Sequence, residues 1–267
     1  MNWPQITSRQ NQRLKDVAHL RERRQRKAHG RTVIDGAREL LRALEAGVPI
    51  IEAFVCPERV RKDEARRAVE LLGQLCKSIW SITPELYDQL AYGGRDDGVV
   101  AVAEPKGRSL AEFSLPPQPL VAVLEGVEKP GNVGAVLRSA DAAGVTGLIV
   151  ADSGTDLYNP NTIRASLGTV FSVPTFAASS AQALEWLVAH GLAIFAARLG
   201  AAKRYTEVDL TRPAAIVLGS EAEGLSQAWN RDEVVGVEIP MLGSADSLNV
   251  SVAAAVLFYE AVRQRGG

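Results

Sequence analysis

Three segments of this chain combine glycine with side chains that can bind or activate a ligand. The first is Glu125-Gly-Val-Glu-Lys-Pro-Gly-Asn-Val-Gly-Ala-Val-Leu-Arg-Ser-Ala140. Its glycines permit close backbone approach, Asn132 is placed to cap a helix, and Arg138 falls about two turns into that helix. The second is Leu218-Gly-Ser-Glu-Ala-Glu-Gly-Leu-Ser226. Glu221 and Glu223 share a face only on extended backbone, and the flanking glycines point to a turn, so an acid/base carboxylate pair does not follow. The third runs from Ile239 to Val256, with a turn at Gly243, Ser244 and Asp246. There Ser247 and Asn249 offer a hydroxyl and an amide, and Leu248 and Val250 offer an apolar wall. Each segment alone reads equally as a helix cap or a solvated turn. Three of them after strands of one α/β region point to a shared ligand site.

Several chemistries lose their sequence support. The first segment is neither a Walker A loop nor a dinucleotide fingerprint, which removes the usual signals for ATP and NAD. The three histidines, His19, His29 and His190, lie outside all three segments, and no Cys/His/Asp cluster has metal spacing. No metal is expected. The second segment is not a Gly-x-Ser-x-Gly nucleophile elbow, so a serine–histidine hydrolase is not indicated.

The elements that must position these segments alternate between strand and helix. In the first part, helices are expected over residues 11–27, 36–45, 62–75 and 85–90, and strands over 31–34, 50–55, 78–82 and 98–103. Residues 106–118 fall in a stretch with Pro105, Gly107, Pro116, Pro117 and Pro119, the clearest linker. Residues 120–124 then form an almost continuous apolar run, typical of a parallel strand covered on both faces. Helices follow over 132–143, 161–167, 180–189 and 247–263, with strands over 146–151, 170–173, 193–197, 214–218 and 234–239. The expected organisation is residues 1–105, a linker at 106–118, and a layered α/β region at 119–267.

The chain has 267 residues, 46% apolar and 23% charged, with formal net charge −1, which fits a folded globular protein. The charge is uneven: residues 1–34 hold nine basic side chains against two acidic ones. Such a cluster is either a solvated helix face or an anion-binding surface. Cys56 and Cys76 form neither a disulfide framework nor a zinc site. No leader and no run of about 20 apolar residues is present, so the expectation is a cytoplasmic protein without membrane attachment.

Taken together, Pro130-Gly-Asn-Val-Gly-Ala-Val-Leu-Arg-Ser-Ala140, the segment 218–226 and the segment 239–253 resemble the motifs of the SpoU/TrmH-type RNA ribose methyltransferases of the SPOUT superfamily. Asn159-Pro-Asn-Thr-Ile-Arg-Ala-Ser-Leu-Gly168 with Phe171 and Pro174 extends the match, and residues 6–15 and 33–39 resemble the accessory domain common in that family. The resemblance implies an α/β fold: a C-terminal, trefoil-knotted, parallel-sheet domain and a smaller N-terminal L30e-like domain. It implies transfer of the methyl group of S-adenosylmethionine to a ribose 2′-hydroxyl of structured RNA, rRNA before tRNA. It also implies a homodimer through the C-terminal domain. Carried over position by position, Asn132, Arg138, Glu223, Ser247 and Asn249 fall on the catalytic side. Leu218, Gly219, Ser220, Gly224, Ile239, Met241, Gly243, Leu248 and Val250 fall on the cofactor side. Two departures stand out: Ser220 and Ala222 occupy positions commonly Asn and Gly, and Glu128-Lys129 replaces a frequent Gln-Asp pair.

The same resemblance gives the basic N-terminal stretch a task. Arg13, Arg21, Arg24 and Lys27 are expected on phosphates, Arg9 and Asn11 near the helix entry, and Arg164 as a separate RNA contact. Two other classes remain open: a catalytically silent RNA-binding or ribosome-assembly protein on this scaffold, and a small-molecule methyltransferase. Presence of the five catalytic-side residues weighs against the first, and the basic N-terminus against the second.

Overall fold

The computed structural model describes residues 3–92 and 94–267. In chain order the elements begin with β1 (Gln5–Ile6), α1 (Gln12–His19), α2 (Arg23–His29), β2 (Thr32–Asp35), α3 (Ala37–Glu45), β3 (Ile50–Val55), α4 (Asp63–Leu75), β4 (Ile79–Ile82), α5 (Pro84–Leu90) and β5 (Val99–Ala103). They continue with β6 (Leu120–Glu125), α6 (Pro130–Ala142), β7 (Gly147–Ala151), α7 (Pro160–Ala165), α8 (Thr169–Ser172), β8 (Thr175–Ala178), α9 (Ser180–Ala189), β9 (Ala193–Ala197), β10 (Lys203–Arg204), β11 (Ala214–Leu218), β12 (Val234–Glu238) and α10 (Val250–Gln264). Two compact units result: Met1–Lys106 with Asp156–Ser172, and Gly107–Thr155 with Val173–Gly267. Among the described residues no helix is long and apolar enough to cross a membrane.

The first unit is built on a sheet of order β1-β4-β3-β5-β2. β1, β4 and β3 pair in parallel, while β5 runs antiparallel to β3 and β2. Ile6, Leu14, Val17, Phe54, Leu86 and Tyr87 belong to one buried cluster, which holds α1 and α5 on the sheet. α3 packs on α4, burying Leu40, Leu44 and Leu72.

The single helix expected over 11–27 is two helices. Arg26 is buried, and its Nη1 donates to the carbonyls of Leu20 (2.9 Å) and Arg21 (2.6 Å), while its Nε pairs with Asp156 at 2.7 Å. A side chain thus satisfies carbonyls that a continuous helix would use itself. The break depends on a partner distant in sequence, so periodicity did not report it.

Residues 156–172, which the sequence organisation put in the C-terminal region, group with the first unit: α7 packs on β2 and α8 on α3. The strand expected over 170–173 is instead α8, and β8 begins at Thr175. Leu167 and Gly168 both take positive φ, and a Cβ on Gly168 would lie 2.8 Å from the Glu39 Cα. The chain therefore turns tightly against α3 before β8 can start.

The second unit carries a seven-stranded sheet of order β10-β12-β9-β11-β6-β7-β8, with every pair parallel. β6, β7 and β11 are buried along their whole length, as their apolar runs require of a sheet covered on both faces. One face packs Val121, Val123, Ile149 and Val217 against α9 side chains, Phe113 and Trp229. α6 and α10 pack on each other, burying Val136, Leu137, Leu257 and Phe258. Parallel strands all end on one edge, so the loops after β12, β9, β11 and β6 emerge beside one another.

Candidate active site

The loops after β9, β11 and β12 and the start of α10 enclose a cleft of about 440 Å³. Of the nine residues expected on the cofactor side, Leu218, Gly219, Ser220, Gly224, Ile239, Met241, Leu248 and Val250 line it. Gly243 is exposed and does not. Ala197 at the end of β9, with Arg198 and Leu199 after it, completes the wall, and none of the three was singled out by the sequence motifs.

The loop after β11 is a closed hairpin. Ser220 N donates to Gly224 O at 3.2 Å, and Gly224 N to Ser220 O at 3.0 Å. Gly219 is obligatory here, because a Cβ would stand 2.2 Å from the Gly224 carbonyl carbon. Ser220 also turns its hydroxyl inward and accepts from Glu223 N at 3.1 Å. This hairpin borders a second cleft of about 820 Å³, lined further by Glu125, Glu128, Lys129, Asn132 and Asp152. Residues 220–224 and Val250 are therefore a shared wall, with a more apolar space on one side and a polar one on the other.

Glu221 ties the three sequence segments together. Its Oε2 accepts from Lys129 Nζ at 2.9 Å, and its Oε1 from Asn132 Nδ2 at 3.0 Å and Asn249 Nδ2 at 2.5 Å. The Lys129 hydrogen bond is the chief cause that holds the Glu221 carboxyl below its ordinary range, against a smaller opposing effect of burial. The same bond raises Lys129. The network is thus fully formed between the usual carboxylate and ammonium ranges. Acid removes it as pH falls through the lowered Glu221 value, and base as pH rises through the raised Lys129 value. The resemblance put Glu223 on the catalytic side, to position Arg138 or substrate, and did not include Glu221. Only the hairpin decides which carboxylate faces Asn132, and a turn of this tightness was not legible in residue types alone.

Asn132 and Asn249 differ from expectation in one respect each. Asn132 does not cap α6: Lys129 holds the cap position and Pro130 starts the helix, its fixed φ suited to that first turn. That leaves the Asn132 amide free to reach Glu221. Asn249 is the cap of α10, which begins at Val250 and not at Ser247. Its Oδ1 accepts from Ser251 N at 3.0 Å, while its Nδ2 serves Glu221 and Asn132. One amide both starts the helix and closes the cluster. Ser247 lies on the wall of the smaller cleft. Glu223 is exposed on the rim of both clefts, and Arg138 is exposed on α6 with no ion pair to a described residue. Within one chain the structure brings Asn132 and Asn249 together, and leaves Arg138 and Glu223 outside that cluster.

Beneath the hairpin, buried Glu125 at the end of β6 accepts from Ser180 Oγ (2.5 Å), Ser226 Oγ (2.7 Å) and Ser226 N (2.7 Å). These bonds anchor the far end of the hairpin to α9 and β6.

In the first unit the basic residues divide into two kinds. Arg13 bonds Glu52 at 2.5 Å and lies over Trp80. Arg21 and Arg164 both approach Asp35, at 3.8 and 3.5 Å, and both lie over the Tyr92 ring. Asn11 caps α1 through its side chain. Arg9, Arg24 and Lys27 are exposed, and Lys27 joins Arg23 and Arg31 around a pocket of about 290 Å³.

Residues 119–259 match the SpoU rRNA Methylase family, and residues 11–101 match an MRM3-like substrate binding domain. A 23S rRNA (uridine(2479)-2′-O)-methyltransferase of Streptomyces viridochromogenes is 34% identical over 97% of this chain and 92% of its own. The crystal structure of an RNA 2′-O ribose methyltransferase superposes with TM-score 0.85 at 44% identity, covering 98% of this chain and 99% of the other. The SpoU methyltransferase AviRb from Streptomyces viridochromogenes, solved in complex with the cofactor AdoMet, superposes with TM-score 0.83 at 31% identity, covering 96% and 98%. With matching motifs, a matching parallel sheet and relatives aligned along nearly their whole length, this chain belongs to the SpoU rRNA methylase family.

Proposed function

We propose that this protein transfers the methyl group of S-adenosylmethionine to a ribose 2′-hydroxyl of structured RNA, with rRNA as the substrate. The observation that carries the reading is the shared wall formed by residues 220–224, which separates a cofactor-sized cleft from a polar one beside Asn132 and Glu221. The cleft fits the cofactor: it is largely apolar, of adequate volume, and bounded by a hairpin whose Gly219 leaves no space to spare. When bound, S-adenosylmethionine supplies an activated methyl group on a sulfonium, so the protein's task is chiefly orientation.

Leu218, Ile239, Met241, Leu248 and Val250 hold the cofactor, with backbone groups of 219–224 as hydrogen-bonding partners. Glu221, added to the expected set, fixes Asn132 and Asn249 so that their amides border the polar cleft. Ser247 and Glu223 serve the rim. Arg138 orients the ribose or its phosphate. A guanidinium is a poor proton acceptor and a good anion ligand, so this role suits it better than that of a base. Since Arg138 lies apart from the Glu221 cluster within one chain, a homodimer through the C-terminal region is the arrangement that unites them. Residues 1–105 select RNA, 106–118 link, and 119–267 perform transfer on a trefoil-knotted sheet in the cytoplasm. Arg24 and Lys27 supply phosphate contacts, with Arg9, Asn11, Arg13, Arg21 and Arg164 around them.

The test is transfer from labelled S-adenosylmethionine to unmodified rRNA and tRNA. Label entering rRNA is expected. Cofactor binding without transfer to any folded RNA would favour the silent RNA-binding alternative.

A further inference from the structure

The pocket of about 290 Å³ beside α2 lies wholly within the first unit. Its charge is one-sided: Arg23, Arg26, Lys27 and Arg31 line it, against the single carboxylate of Asp156. Asp156 is already committed, because its Oδ2 pairs with buried Arg26 at 2.7 Å. Three cations remain. Arg23 and Lys27 stand one turn apart on α2, are exposed, and make no ion pair to a described residue. α2 carries no acidic residue, so the repulsion between them is unrelieved within the helix. Arg31 meets Glu104 at 3.6 Å, with side chains 42% and 43% exposed, a pair that water largely screens.

The walls of the pocket are braced. Thr32 is buried and its Oγ1 donates to Tyr158 O at 2.6 Å, while Tyr158 Oη donates to Lys106 O at 3.2 Å. These bonds hold together the walls contributed by β2, by the segment before α7 and by the chain after β5. Two guanidiniums and an ammonium around one fixed space match a phosphate, whose oxygens accept several charge-assisted hydrogen bonds at once. We infer that this pocket holds one phosphate of the RNA backbone, bound jointly by Arg23, Lys27 and Arg31. The inference rests on the RNA methyltransferase reading and deepens it: the contact is a built site and not a diffuse basic face. Arg23 and Arg31 thereby join the residues that touch RNA. Arg26, its charge spent on Asp156, shapes the pocket.

Affinity of the full chain for unmodified rRNA, measured by filter binding over a series of salt concentrations, tests this through additivity. Cations that share one phosphate lose it together. Arg23→Ala and Arg31→Ala are each expected to weaken binding about 3- to 10-fold, and the double variant little more than the stronger single. The slope of log affinity against log salt is expected to fall by about 1 in the double variant, the share of one phosphate. Arg66→Ala with Lys77→Ala removes the same charge from exposed positions outside the pocket and should change neither quantity. Additive losses with a slope change of about 2, an equal loss in the charge-matched variant, or no loss at all overturns the inference. Inorganic pyrophosphate, titrated calorimetrically, tests the other source of phosphate: binding that Arg23→Ala abolishes while RNA affinity stays unchanged assigns the pocket to a free anion and overturns the inference as well. A wild type that binds no RNA overturns the methyltransferase reading with it, whereas a double variant that binds and methylates RNA as the wild type does overturns the pocket alone.

Discussion

The basic α1–α2 region and the loops at the C-terminal edge of the parallel sheet present opposite kinds of signal. In the first, charge is abundant but much of it is consumed internally: Arg13 by Glu52, Arg21 by Asp35, and Arg26 by Asp156 and two carbonyls. In the second, a carboxylate, an ammonium and two amides from separate loops converge within hydrogen-bonding distance. Charge density marks where cations are, not which are available. Spacing across separate loops marks where chemistry is assembled.

The contrast can be broken most severely at Arg26. Arg26→Ala leaves Asp156 and the Leu20 and Arg21 carbonyls without their partner, and should cost about 3 kcal/mol of stability. Urea unfolding measures it, and a change below about 1 kcal/mol would mean that the buried arginine is not holding the α1–α2 break.

At the other region, Glu221→Ala should lower methyl transfer about 100-fold by releasing Asn132 and Asn249. Glu223→Ala, a few atoms away on the same hairpin, should lower it far less. Turnover measured at saturating cofactor separates them, and equal losses would return Glu223 to the role the motifs first suggested.

Gly219→Ala forces a Cβ against the Gly224 backbone, so the hairpin must open. Cofactor affinity is expected to fall about 10-fold, as read by calorimetry, with the first unit's unfolding unchanged.

The smallest effect belongs to the free cations. Replacing Arg24 and Lys27 together by Ala should reduce the dependence of log affinity for RNA on log salt by about 1 to 2. Arg13→Ala should leave that slope nearly unchanged, because Glu52 already neutralises it. If Arg13 matters as much as the pair, internal pairing does not withdraw a cation from RNA.

Much of the second unit was legible in the sequence. The continuous apolar run of β6 pointed to a parallel sheet covered on both faces, and the three loop segments were expected at one ligand site because strand ends share an edge; which of their residues face a cofactor came from the family resemblance. What escaped depends on contacts between distant positions. The α1–α2 break needs Asp156, α8 needs the approach of Gly168 to α3, and the choice of Glu221 needs the closed 220–224 hairpin.

The central claim is that residues 220–224 stand between the cofactor and a ribose. Its most direct test maps the label after transfer to unmodified rRNA and alkaline hydrolysis. A 2′-O-methyl group removes the nucleophile that alkali needs, so the account predicts that label stays in an alkali-resistant dinucleotide at a defined rRNA position and enters it about 100-fold more slowly with Glu221→Ala. Label recovered in a base, or in alkali-sensitive mononucleotides, would contradict it.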